Sequence, residues 1–420
     1  MMEETLNYEK KGRVRSRWTI KFFRLEENPS ESIFTNIHAS YKYEKSFELH
    51  LLPSNNLRTF VRRTWFSVVG VWATLLAAPE VCSFQNEVDS TTGDKSKEAP
   101  TNKVPYVIEI HDAAAESFLG RSADLEVLAE GFEIAEGPVW IASKEMLLFS
   151  DVKGNKIHSW SPKKGTNVFL SPGGHTGAVP FFKRGFLGSN GLALDSQGHL
   201  VICQHGDRRL AKLSLDNVSQ KGLTTLVDKF KGNRLNSPND LTVAANGDIY
   251  FTDPPYGFCD TENSDPLNAK MIFVSDFQET PFSGIYRYEP STGKVNMVSN
   301  EMKLPNGITI SNDQKWIYVG SSDMKEPKMW RFSTKDGDGE VFFDGPFADS
   351  DAGWFDGMKM HKSGNIFATG PGGVLVISPE GKKLATVRLP DPVTNCCFDG
   401  NQDYLYVTSF AYVARFKLKK

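Results

Sequence analysis

The chain has 420 residues, a net charge of −3 and an aromatic content of 12%. A net charge this close to zero gives no electrostatic reason to expect nucleic acid or an anionic membrane as the main partner. Thirty-five glycines are typical of a β-rich protein with many tight turns, so we expect such a protein with a small-molecule ligand.

Residues 1–60 show no sustained period of 2 or 3.6 and resemble no other part of the chain. We interpret this segment as a non-structural extension, or as the product of a start codon assigned too far upstream. Residues 85–103 are polar and lack large apolar side chains, which is typical of a solvated linker.

Residues 61–84 have the pattern of a secretory signal peptide. Arg62 and Arg63 precede a short apolar run from Phe66 to Ala78. This run of about 13 residues is shorter than the roughly 20 that a membrane span needs, so no stable membrane insertion is expected. The pattern predicts a secreted or periplasmic protein.

The five cysteines show neither the paired spacing of a zinc site nor the density of a disulfide scaffold. Cys396 and Cys397 are neighbours in a strand-like segment. Because successive strand residues point to opposite faces, we expect one of the two to be buried.

From residue 130 onward the sequence repeats with a period of about 40 to 65 residues, in six copies. Each copy has a polar residue, an alternating strand, a turn rich in Gly, Asn, Asp and Ser, and a second strand of large apolar residues. Short antiparallel strands at this period form propeller blades, so residues 104–420 predict an all-β fold, a six-bladed β-propeller. Val104–Glu130 is expected to supply an outer strand that closes the last blade, and Phe258–Ser283 an insertion near the channel mouth.

The repeated polar residue places six side chains around one axis, because the innermost strand of each blade lines the central channel. Asn-Gly and Asp-Gly are also common hairpin turns, but here each pair precedes a strand that has its own turn after it. None of the six side chains is a thiol or an imidazole, and such oxygen donors suit a hard cation such as Ca²⁺. The six are Glu136, Asn190, Asn239, Asn306, Asp356 and Asn395.

The residues that follow the second strand of each blade return to the same channel mouth. We predict substrate contacts there from His205, Asp253 and Tyr256, together with Asn190 in the channel. Alternatively, His205 is a hydrogen-bonding loop residue and Asp253 caps a turn beside Pro254.

Five motifs carry a resemblance to the senescence marker protein and gluconolactonase family, over about residues 125–418 and nearest to its microbial gluconolactonase branch. They are AEGPVW at 135–140, RLNSPNDL at 234–241, IYFTDPPYG at 249–257, LPNGI at 304–308 and FDGMKM at 355–360.

The resemblance implies a channel-bound divalent cation, Ca²⁺ in the first place and Zn²⁺, Mg²⁺ or Mn²⁺ as alternatives. Its ligands would be Glu136, Asn239, Asn306 and Asp356. Some relatives hold a second calcium with an Asp where this chain has Lys359, so the resemblance does not carry that second site over.

The resemblance implies a carboxylic ester hydrolase that opens a sugar lactone such as gluconolactone. The cation would polarise the carbonyl, and Asp356 is the candidate catalytic residue that positions or deprotonates the attacking water. No Gly-x-Ser-x-Gly motif argues for a serine nucleophile. The alternatives are another lactonase, an organophosphate hydrolase or a condensing enzyme on the same scaffold, or a non-enzymatic binding propeller; the oligomeric state is left open.

Overall fold

The computed structural model describes residues 106–120, 125–265, 270–347 and 353–419, and before them the backbone of four short strands. The chain divides into two units, residues 1–96 and residues 97–420. In the first unit the four strands pair antiparallel in chain order, as β1 (Thr5–Glu9), β2 (Arg17–Lys21), β3 (Ile37–Tyr41) and β4 (Lys45–Leu49).

These four strands were not predicted from the sequence, and the interpretation of residues 1–60 as an extension stays a prediction. The signal-like segment 61–84 and the polar linker 85–103 lie outside the described residues. Within the part of the chain that is described, no helix combines the length and the apolar character needed to cross a bilayer.

The second unit is the predicted six-bladed β-propeller. It begins with β5 (Val107–Ile110) and β6 (Leu125–Glu130), which join the fifth and sixth blades. The first blade consists of β7 (Ala135–Ile141), β8 (Met146–Asp151), β9 (Lys156–Ser161) and β10 (Gly165–Leu170), and the second of β11 (Ser189–Leu194), β12 (Leu200–Gln204), β13 (Arg209–Leu213) and β14 (Thr224–Val227). A separate hairpin of β15 (Lys229–Phe230) and β16 (Asn233–Arg234) follows. The third blade consists of β17 (Leu241–Val243), β18 (Ile249–Asp253), β19 (Gly284–Glu289) and β20 (Lys294–Ser299).

The last three blades follow the same antiparallel order. The fourth blade consists of β21 (Pro305–Ile310), β22 (Trp316–Ser321), β23 (Met329–Ser333) and β24 (Gly339–Phe343). The fifth consists of β25 (Met358–Met360), β26 (Ile366–Gly370), β27 (Gly373–Ile377) and β28 (Lys383–Arg388). The sixth consists of β29 (Val393–Phe398), β30 (Tyr404–Ser409) and β31 (Tyr412–Lys417). Short 3-10 helices lie at Ala113–Ser117, Ala142–Lys144, Gln220–Gly222, Tyr256–Phe258 and Ser275–Phe277.

The segment before the repeat supplies two outer strands. As predicted, β6 closes the last blade: it pairs with β31, and Arg415 Nε donates to Glu126 Oε2 at 2.7 Å. The strand β5 pairs instead with β28 and becomes a fifth strand of the preceding blade, where Arg388 Nε donates to Glu109 Oε1 at 2.6 Å.

The apolar core lies between the blades, so both faces of a central strand are buried. This corrects the expectation for the neighbouring cysteines, because both are buried: Cys396 packs in the cluster with Phe367 and Leu405, and Cys397 in the cluster with Trp160 and Tyr406. The two thiols do point to opposite sides of the strand. In a propeller each side faces another blade.

Buried hydroxyl groups of the second strands fasten neighbouring blades near the channel. Ser150 Oγ donates to Asn190 O at 2.7 Å and Thr252 Oγ1 donates to Asn306 O at 2.7 Å. Thr369 Oγ1 donates to Thr394 O at 2.9 Å. These hydrogen bonds join each second strand to the inner strand of the next blade, and they fix the inner strands that carry the candidate site.

Candidate active site

A break in strand pairing turns the repeated polar side chains into the channel. In four inner strands the register shifts at the polar residue, between Glu136 and Val139, from Ser189 to Leu192, from Pro305 to Ile308, and from Val393 to Asn395. The remaining two, Asn239 and Asp356, lie just before β17 and β25. A bulge of this kind re-aims a side chain, which explains why the sequence alternation alone does not describe these positions.

The glycine that follows the polar residue permits neighbouring inner strands to approach closely. A Cβ on Gly137 would lie 2.0 Å from Asn190 O, and one on Gly307 would lie 1.9 Å from Asp356 O. Gly137 also has φ +53°, a conformation that other residues rarely adopt. The Glu-Gly, Asn-Gly and Asp-Gly pairs therefore mark contacts between blades, and they are not hairpin turns.

The channel amides form a chain of hydrogen bonds. Asn190 Nδ2 donates to Asn239 Oδ1 at 2.8 Å, and Asn239 Nδ2 donates to Asn306 Oδ1 at 2.5 Å. Asn306 Nδ2 in turn donates to Ser322 Oγ at 2.7 Å. This chain fixes the orientation of three amides around the axis, and each accepting oxygen keeps a second lone pair.

Glu136 and Asp356 form the acidic side of the ring. Burial, then the neighbouring charge of Asp240, raises the pKa of Glu136 to about 7. Burial, then repulsion from Glu136, raises the pKa of Asp356 well above its ordinary value. Asn395 Nδ2 donates to Glu136 Oε2 at 2.9 Å, and Trp354 Nε1 lies 3.3 Å from Asp356 Oδ2. Without a cation the two carboxylates disfavour each other's charge.

A third buried carboxylate, Asp240, is balanced by a lysine. Lys359 Nζ lies 3.8 Å from Asp240 Oδ2. Burial alone would lower the pKa of Lys359, but the facing Asp240 raises it, so the ammonium stays charged. Asn395 Nδ2 contacts both Glu136 and Asp240, at 2.9 and 3.4 Å, and so links this ion pair to the candidate site.

The donor set fits a hard divalent cation. Glu136 Oε1 and Asn190 Oδ1 are buried and accept no hydrogen bond within the protein, although buried acceptors are nearly always satisfied. Carboxylate and amide oxygens are the ligands that Ca²⁺ prefers. Among the residues described, no group of three or more His, Cys, Asp or Glu side chains has metal-site geometry; the candidate ligands are two carboxylates joined by amides.

A cavity of about 500 Å³ opens above this polar floor. All four proposed cation ligands line this cavity, and so do three of the four proposed substrate-binding residues, Asn190, His205 and Tyr256. The four ligands are Glu136, Asn239, Asn306 and Asp356. Burial raises the pKa of Tyr256 above its usual range, so its phenol keeps the proton and faces the cavity as a donor.

Asp253, the fourth proposed substrate residue, does not line the cavity. It is fully buried, and its carboxylate accepts hydrogen bonds from the backbone of Asn236 and Ser237, each at 2.8 Å. Asp253 thus holds the backbone of the loop that carries Asn239. This role agrees better with the turn-capping alternative than with a substrate contact.

His205 is a neutral hydrogen-bonding residue in this site. Its Nε2 lies 3.3 Å from Asn190 Nδ2. Burial lowers the pKa of His205 to about 4. The hydrogen-bonding alternative is therefore observed, and because the ring also lines the cavity, the substrate contact of His205 stays a prediction.

Sequence reasoning missed Trp354, Asp240 and Lys359. Each lies within three residues of a proposed ligand. Asp240 and Lys359 form an ion pair with each other, and Trp354 lines the cavity; the repeat predicts neither of these roles. It also missed Phe186, which lines the cavity from the segment between β10 and β11.

Residues 134–411 match the family model described as the SMP-30/Gluconolactonase/LRE-like region, and the chain belongs to this family. A gluconolactonase of Zymomonas mobilis is 33% identical over 72% of this chain and 84% of its own length. The solved structure of a gluconolactonase from Xanthomonas campestris superposes with a TM-score of 0.62 at 28% identity, over 76% of this chain and 99% of that one. Regucalcin of Xenopus laevis is 28% identical over 67% of this chain and 85% of its own length.

Proposed function

We propose that this protein is a carboxylic ester hydrolase that opens lactones, with a divalent cation, Ca²⁺ in the first place, held by Glu136, Asn239, Asn306 and Asp356. The observation that carries the proposal is the meeting of two carboxylates and an ordered chain of amides on the floor of a cavity of about 500 Å³. Because relatives of high coverage are gluconolactonases, a sugar lactone such as gluconolactone is the reference substrate.

A bound cation supplies Lewis acidity that polarises the lactone carbonyl and stabilises the oxyanion. Asp356 holds the attacking water and accepts its proton as the water oxygen bonds to the carbonyl carbon. The ring C–O bond then breaks, and Asp356 returns the proton to the released alkoxide. The product is an open-chain hydroxy acid.

The surrounding side chains orient the reactants. Trp354 donates to Asp356 Oδ2 and so fixes the orientation of that carboxylate. Tyr256 is a protonated donor beside the cavity, and His205 holds the Asn190 amide through a neutral ring. These contacts restrict the geometry of attack, which is where much of the rate acceleration of an enzyme arises.

We also propose export from the cytoplasm, on the basis of the basic and apolar pattern from Arg62 to Ala78. Peptide sequencing of the exported protein is expected to find an N-terminus after Ala78. An exported chain that starts before Phe66 would contradict this.

The direct test is hydrolysis of gluconolactone by the purified full chain, corrected for spontaneous opening. Chelator is expected to abolish the enzymatic rate, and Ca²⁺, Mg²⁺, Mn²⁺ or Zn²⁺ added in turn should restore it to different extents. An unchanged rate in excess chelator would contradict the role of the cation, and no hydrolysis of any lactone with any cation would contradict the proposed function.

A further inference from the structure

We infer that the preferred substrate is a lactone that carries an apolar group, and that a free, fully hydroxylated sugar lactone is a poorer substrate. The inference rests on the proposed function and assigns a substrate class to the same site. It follows from the difference between the walls of the cavity, which are apolar, and its floor, which is polar.

The walls are apolar and come from segments outside the repeat. Met271 and Phe273 belong to the insertion Phe258–Ser283, Phe186 to the segment between β10 and β11, and Met324 to the loop between β22 and β23. These side chains are only half-buried, so each leaves apolar surface for a ligand to cover. Covering such surface favours binding in proportion to the apolar area removed from water.

Two hydroxyl side chains near the floor, those of Ser322 and Thr394, are already engaged within the protein, whereas the Tyr256 hydroxyl has no partner among the described residues. Ser322 Oγ accepts from Asn306 Nδ2 at 2.7 Å and donates to Phe355 O at 3.0 Å. Thr394 Oγ1 donates to Ala135 O at 2.6 Å. The channel amides of Asn190, Asn239 and Asn306 bond to one another.

The lysines that line the cavity lie at its mouth. Lys303 and Lys325 are exposed, and Lys303 Nζ lies 4.0 Å from Asp323 Oδ2. Hydroxyl groups of a sugar lactone that lie between floor and mouth would therefore face Met271, Phe273 and Phe186, and these apolar side chains offer them no hydrogen bond. Burying a hydroxyl without a hydrogen bond is unfavourable, so such a substrate loses affinity.

The size of the cavity agrees with this assignment. Its volume of about 500 Å³ lies within the roughly 300–1,000 Å³ typical of pockets that enclose drug-sized ligands. The floor can hold the lactone ring while an alkyl or aryl group lies against the walls.

The test is a series of δ-lactones with one ring size and a growing alkyl chain: δ-valerolactone, δ-hexalactone, δ-octalactone and δ-decalactone, assayed beside δ-gluconolactone with the wild-type full chain and its activating cation. We expect kcat/KM to rise roughly fourfold per methylene until the wall is covered, and to exceed the value for gluconolactone. A flat series, or gluconolactone as the best substrate, overturns the inference and leaves the proposed function intact. If none of these lactones is hydrolysed, both the inference and the proposed function are overturned.

A pair of adjacent variants locates the effect on the wall. Met271→Gln keeps the side-chain length but adds a polar end, and it should lower kcat/KM for δ-decalactone roughly fivefold, with δ-valerolactone unchanged. The matched control is Ile272→Gln, because Ile272 is exposed and does not line the cavity. It should change neither value. Equal effects of the two variants, or equal losses with both substrates, would overturn the assignment of Met271 to the binding wall.

Discussion

The floor and the walls of the cavity have different origins in the chain. The floor consists of one position that recurs in each blade, held by bulges and by glycines that let neighbouring strands meet. The walls come from loops of different lengths that no repeat constrains, such as Phe258–Ser283. Under the proposed function, the reactive chemistry therefore belongs to the repeated framework of this propeller, and the choice of substrate to the unrepeated loops.

The largest effect is expected from the floor. Asp356→Asn should lower kcat for the best lactone by roughly 10²–10⁴, the usual contribution of a general base. Its thermal stability without a cation should not fall, because burial and Glu136 both disfavour the Asp356 charge. Steady-state kinetics and thermal melting measure the two quantities.

Asp313→Asn is the matched control for that substitution. Asp313 lies in the turn between β21 and β22 and does not line the cavity, and its hydrogen bonds to Ser311 and Lys315 need only an acceptor oxygen. It should retain full activity. Wild-type kcat in the Asp356 variant would mean that the chemistry does not belong to the repeated framework.

The next effect concerns stabilisation by the cation. A ligand at a hundredfold excess over its Kd stabilises the folded state by about 2.7 kcal/mol, so Ca²⁺ should raise the melting temperature of the wild type. Glu136→Gln should lose much of this response because it removes one of two ligand carboxylates. Asn190→Ala removes no charge and should keep most of it. A response that is lost equally in both variants would contradict the assignment of the ligands.

A smaller effect is expected beneath the floor, at Asp253. Burial raises the pKa of this carboxyl to about 7, against two backbone hydrogen bonds and Arg208, which lower it. The protonated form is therefore favoured by folding: the stabilisation is fully present below about pH 4, and it is lost as the pH rises through about 7.

The measurement is the free energy of unfolding from pH 5 to pH 8 for the wild type and for Asp253→Asn, which cannot titrate. The wild type should lose stability with rising pH more steeply than the variant, by at most about 1.4 kcal/mol per pH unit. Identical slopes would show that Asp253 keeps one protonation state throughout this range.

The smallest effect is expected outside the repeat, at the start of the chain. A shortened chain that begins at Asn102 keeps β5 and β6 and should match the full chain in melting temperature and kcat/KM. A chain that begins at Gly131 lacks the outer strands of two blades and should be markedly less stable. Loss of activity on removal of residues 1–101 would contradict the expectation that this segment is dispensable for catalysis.

The sequence was sufficient for the fold and for most of the floor. Regular spacing predicted the six blades, and the motifs around Glu136, Asn239, Asn306 and Asp356 predicted residues that the structure brings together. It was insufficient where a role depends on a partner distant in the chain. Asp253 supports Asn236 and Ser237, and Lys359 faces Asp240, and neither contact has a spacing signature.

The pairing of β6 with β31 has a consequence for biosynthesis. The outer strand of the sixth blade precedes the first blade in the chain, whereas its three other strands are the last to be made. A ribosome must therefore release nearly the whole polypeptide before the ring can close, and until then β6 presents an unpaired edge. A premature stop codon in place of Tyr412 removes β31 and the three residues after it, and would leave that edge exposed permanently, although every residue of the candidate site would have been translated.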